Sequence, residues 1–148
     1  MNTNRIAERF CDCTLPPAEW THEAHLKVGL WHLLQYSPED AMDHLRKRIR
    51  NYNIACGKEN TDISGYHETI TRFYVEIIAH FLIEQKPDQS VDCLAEILIS
   101  KWGDQKLMFR YYSKEKLMSK EARRQWVEPD LSELLGSQRM RSPEVQGS

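Results

Sequence analysis

The chain has 148 residues, 41% of them hydrophobic and 28% charged, with 20 basic and 22 acidic side chains for a net charge of −2. That length suits one domain burying roughly two-thirds of its unfolded surface, and the composition excludes a wholly disordered chain. The charge balance gives no reason to expect nucleic acid or an anionic membrane as a partner. No apolar run approaches the roughly 20 residues of a membrane-spanning helix.

The start, from Met1 to Phe10, lacks the apolar stretch of a secretory signal, so the expectation is a cytoplasmic protein. Its four cysteines then read as thiols. Cys56 and Cys93 fall in helical segments and look like small core residues, while Cys11 and Cys13 sit two apart.

Hydrophobic spacing is helical throughout, and strand-like alternation is almost absent. A short first helix is expected over Asn4 to Cys11, broken by Leu15-Pro16-Pro17. A long second helix runs from about Pro17 or Thr21 to Tyr36, with Thr21 a good cap. Ser37-Pro38 opens the third, which ends at Cys56 with Gly57 suited to the left-handed position beyond it. A polar loop from Lys58 to Ile63 precedes a fourth helix from near Ser64 to Lys86, stopped by Pro87. The fifth spans about Gln89 to Trp102 and ends at Gly103.

Short helices follow: Asp104 to Tyr112, turns capped by Ser113 and Ser119, then Arg123 to Trp126. Val127 to Leu131 should be extended because of Pro129, and a disordered tail is expected from Gly136. The fold expectation is all-α: one domain over 1–135, an irregular bundle of about five main helices plus short C-terminal ones.

At about 100° per residue, the second helix puts His22 on the arc of Leu26, Leu30 and Leu33, with His25 at its edge near His32. The fourth helix places His67 at the edge of an arc holding Ile70, Tyr74, Ile77 and Phe81. Glu68 points away and can pair with Arg72. Two helices thus bring three imidazoles to inner or near-inner positions.

Neutral imidazole is the commonest transition-metal ligand, and residues three apart on a helix can reach one ion. His22, His25 and His67 would make a three-histidine zinc or iron site with an open position for water or substrate. Tyr66 and Asn53 would orient the bound group. Against this stands the plain reading, since a histidine on an apolar face more often bonds a carbonyl or hydroxyl in the core. The alternatives are a metal-free domain whose histidines hydrogen-bond a polar ligand, and an interaction domain whose histidines are structural.

Sharper motifs fail. His22-Glu-Ala-His25 is one residue short of the zinc-protease pattern, and Glu19-Trp-Thr-His22 has no second copy of its di-iron spacing. Cys11 and Cys13 are too close together for the usual four-ligand finger with His22 and His25. The basic run Arg46, Lys47, Arg48 and Arg50 spreads around its helix, as a solvated face does, and Gly57-Lys58 lacks the upstream glycine of a phosphate loop.

Four segments carry a likeness: Trp20-Thr-His-Glu-Ala-His-Leu26, Asn53 with Gly57, Gly65-Tyr-His-Glu-Thr-Ile-Thr71, and Ser119 through the Trp126-Val-Glu-Pro-Asp-Leu131 stretch. They resemble signatures of a family of small, mainly bacterial helical proteins, over about residues 6 to 131. No activity is established for that family, so the resemblance implies a helical fold and no reaction or cofactor. It does put His22, His25 and His67 inside distinctive segments. The expectation is a small-molecule enzyme or binding protein with its pocket between helices two and four.

Overall fold

The computed structural model describes residues 1–135, all of whose regular elements are helical; the tail expected from Gly136 lies outside them. The main helices are α1 (Thr3–Cys11), α2 (His22–Leu33), α3 (Pro38–Ala55), α4 (Glu68–Ile83) and α5 (Val91–Trp102). Two short ones follow, α6 (Lys114–Leu117) and α7 (Lys120–Arg124). Single 3-10 turns cover Pro17–Glu19 and Leu107–Arg110. Among the described residues no helix is long and apolar enough to cross a membrane.

Local chemistry sets most boundaries. Asn2, Thr21, Ser37, Ser90, Ser113 and Ser119 each accept a hydrogen bond from a backbone N–H in the first turn of the helix they precede. Gly57 takes the expected left-handed conformation, φ +82°, just beyond α3. α2 stops at Leu33 rather than Tyr36, because Pro38 forces Ser37 into extended backbone and the chain must turn first.

α4 departs most from expectation. It begins at Glu68, four residues later than Ser64, and His67 is its N-cap in extended conformation (φ −132°, ψ 110°). Glu68 does not pair with Arg72. Its carboxylate accepts from Arg46 of α3 at 2.7–3.1 Å, while Arg72 reaches Glu76 at 3.4 Å. Cys93 is exposed and not the core residue the sequence suggested, while Cys56 is half-buried and packs against the core.

α2 and α4 form the centre. Val75 joins the core of α1, α2 and α3; Ile78 and Phe81 join that of α2 and α5; Phe73 and Ile77 join that of the C-terminal segment. A helix apolar on nearly every side must be covered on every side, and α4 is.

The C-terminal segment clasps the start of α4. The Thr69 hydroxyl donates to the Gln125 carbonyl (2.9 Å) and accepts from the Val127 N–H (3.2 Å). The Tyr112 hydroxyl donates to the Val127 carbonyl at 2.6 Å, and Arg123 donates to the Gly65 carbonyl at 2.8 Å. These bonds hold residues 125–131, non-helical throughout, as a strap, and the stretch 127–131 expected to be extended before and around Pro129 lies within it.

His32 on α2 is fully buried. Its Nδ1 lies 2.8 Å from the Val28 carbonyl and its Nε2 2.9 Å from an Arg48 guanidinium nitrogen. An Nδ1–H donor and a lone-pair acceptor at Nε2 satisfy both contacts, so the ring is neutral. Burial first, then the nearby Arg48 and His44 charges, push its pKa down to about 4. The unfolded chain therefore binds a proton here that the native state refuses, and the contribution present above pH 6.5 disappears as pH falls toward 4. This group is worth roughly 3 kcal/mol across that window. Urea unfolding of wild type and His32→Leu between pH 7 and 4 should show the wild type losing more stability by about that amount; equal losses refute the assignment.

Candidate functional site

A pocket of about 340 Å³ opens where α2, α3 and α4 diverge. Leu26, Val28 and Gly29 of α2, Leu45 and Ile49 of α3, and Ile70, Val75 and Ile78 of α4 supply its apolar wall. Its polar groups come from Trp20, His22, His25, Thr71 and Tyr74. The volume falls in the range of small-molecule sites, which combine apolar walls with a few polar groups.

Gly29 leaves space in this wall for the end of the Ile78 side chain. A Cβ at this position would stand 2.8 Å from Ile78 Cδ1, closer than real contacts allow. A glycine inside a helix costs about 1 kcal/mol against alanine, and here close helix packing is the compensation.

His25 sits at the pocket mouth on the exposed side of α2. Its ring stacks on Trp20 with centroids 3.7 Å apart, and Trp20 stacks on Phe10 at 4.6 Å. Nδ1 lies 2.6 Å from the Thr21 carbonyl, one turn back. A carbonyl only accepts, so Nδ1 carries the proton and Nε2 keeps its lone pair. Desolvation by the packed surroundings, above all, holds the pKa below 6.5 against the Thr21 bond, with His22 and Lys58 acting in the same direction as desolvation.

His22 is the first residue of α2, three positions before His25. Its Nε2 is shielded from solvent and meets no hydrogen-bond partner. The ring packs edge to face with Tyr74, centroids 5.7 Å apart. Burial lowers its pKa below 6.5, outweighing Glu23 and Asp104, so this ring is also neutral near pH 7. Burial and Asp104 push the Tyr74 hydroxyl up to about 12, and it stays protonated.

The other expected site residues lie elsewhere. His67 accepts at Nδ1 from the Ile70 N–H (3.2 Å) and donates from Nε2 to the Leu117 carbonyl (2.8 Å), so both ring nitrogens serve the backbone. Asn53 donates to Asn60 Oδ1 at 3.0 Å, and the same oxygen accepts the Tyr66 N–H at 3.0 Å. The Tyr66 hydroxyl donates to Glu68 at 2.7 Å, under the Arg50 guanidinium 4.6 Å from its ring centre. Among the described residues no three or more His, Cys, Asp or Glu side chains are grouped to hold a metal. Of the five residues singled out, His22 and His25 share the pocket, while Asn53, Tyr66 and His67 tie the 58–67 loop to its neighbours.

Trp20, Gly29, Ile49 and Thr71 were missed as pocket residues. The lone glycine within a helical pattern was the one available signal. Trp20 lies outside α2, beside a 3-10 turn, so no helical wheel could orient it.

No family model, curated protein or solved structure matches this chain. The functional reading therefore rests on the geometry.

The two histidine environments predict opposite costs. His67→Ala removes a helix cap and leaves a buried carbonyl without its donor, a loss of roughly 2–3 kcal/mol. His25→Ala loses one stacked ring at the surface and costs less than about 1 kcal/mol. Chemical denaturation of the two variants checks the order, and a reversed order contradicts these assignments.

Proposed function

We propose that this protein binds a small, mainly apolar molecule with one hydrogen-bonding group in the pocket between α2, α3 and α4. Supporting this reading above all is His22, whose Nε2 is shielded yet unpaired beside that pocket. An unpartnered buried polar atom costs about 1–3 kcal/mol, and a ligand group that pairs with it as the ring turns toward the cavity recovers much of this. Imidazole offers a donor or an acceptor there by choice of tautomer. Leu26, Val28, Val75 and Ile78 would hold the apolar body of the ligand.

Geometry favours the metal-free version of the site. A zinc or iron ion would find two pocket histidines, and a third ligand from His67 requires it to release either the Ile70 N–H or the Leu117 carbonyl. Offered excess zinc and then desalted, tag-free protein should retain well under one ion per chain by elemental analysis. A full equivalent, lost in His22→Phe, would restore the metal reading.

Direct binding is tested with 2-naphthol and naphthalene, which share a ring system and differ in one hydroxyl. Both should perturb amide resonances of α2 and α4 in NMR titrations. 2-Naphthol should bind about fivefold to tenfold tighter, the worth of one hydrogen bond, and His22→Phe should erase that preference. Equal affinities in the wild type, or shifts outside this pocket, contradict the proposal.

A further inference from the structure

We infer that the pocket is catalytic: His25 Nε2 acts as a general base that takes a proton from an apolar ligand held against α2 and α4. This rests on the binding reading above and adds a reaction to it. The substrate class is a flat, mainly apolar molecule with a C–H acidified by an adjacent electron-withdrawing group. The reaction class is proton abstraction leading to elimination or isomerisation.

Three features carry the inference. First, the 2.6 Å contact from Nδ1 to the Thr21 carbonyl fixes the tautomer, and the backbone oxygen stabilises the imidazolium that forms on proton capture. This is the orienting role that a third group plays for a catalytic base. Second, Trp20 stacks on one face of the ring and is itself backed by Phe10, so the base is held in place rather than swinging in solvent. Third, exposed His25 stands at the mouth of a cavity whose wall is otherwise largely apolar, so a substrate seated there lies beside the base.

The titratable groups facing His25 are His22 from its own helix and Lys58 from the loop after α3. Both are cationic when protonated and oppose a proton on His25. The neutral, basic form is thus the resting state at pH 7. His22 lines the same cavity and, in its Nε2–H tautomer, would donate to negative charge developing on the substrate once its shielded Nε2 turns into the cavity.

The probe is 5-nitrobenzisoxazole. His25 Nε2 takes the proton on its C3, the C–H pair becomes the third bond of a nitrile, and the N–O bond breaks with its pair leaving on oxygen. The product is a coloured nitrophenolate, and the imidazolium returns its proton to buffer. Turnover should saturate with probe and exceed that of free imidazole at equal concentration by about a hundredfold. His25→Ala should lose about that factor, while His80→Gln, on the far part of α4, should leave it unchanged. The rate should rise with pH and level off below pH 6.5, since the neutral base predominates above its lowered pKa. 2-Naphthol should inhibit wild-type turnover competitively, which tests the site without relying on a variant.

A wild-type rate no higher than free imidazole, or one that survives in folded His25→Ala, overturns the base role. Should 2-naphthol bind without any elimination, the base role alone falls and ligand binding stands. Should 2-naphthol fail to bind, both readings fall together.

Discussion

Close contact between α2 and α4 is the constraint on which the rest of this fold depends. α4 carries apolar side chains on nearly every side, so it must be covered by α2, α3, α5 and the C-terminal strap together. Gly29 leaves room for the Ile78 terminal methyl, which would have to shift if a side chain stood there. The two helices meet at that point, and the pocket lies beside it, walled also by Leu45 and Ile49 of α3. The same glycine therefore serves both packing density and the cavity next to it.

Four histidines in this molecule divide by what satisfies them. His32 and His67 have both ring nitrogens engaged, by Val28 and Arg48 in one case and by Ile70 and Leu117 in the other. His25 has one nitrogen engaged, and the shielded Nε2 of His22 has no partner. A folded chain satisfies its buried polar groups with few exceptions. His22 and His25, the two of the four with a free ring nitrogen, both line the cavity, and this coincidence gives the pocket its chemical interest.

Charge plays a mainly connective part. Arg46 ties α3 to Glu68 at the start of α4, Arg48 reaches into the core to His32, and Arg50 lies over Tyr66. Three residues of the basic run expected to form a solvated face thus hold α3 against α2 and the start of α4. Arg123 and Thr69 do the same for the strap, fixing the α4 N-terminus from the opposite direction.

Periodicity and capping chemistry alone determined the helical class, the five main helices and most of their starts, because these depend on residues within one turn of each other. They also turned His22 inward correctly, since α2 is regular from its first residue. His67 could not be read this way. A helical wheel presumes helical backbone, whereas this residue sits in extended conformation as the cap of α4, with its Nε2 held by the Leu117 carbonyl of α6. The pocket was likewise beyond local reading, for it exists only where three helices separated in sequence fail to close completely.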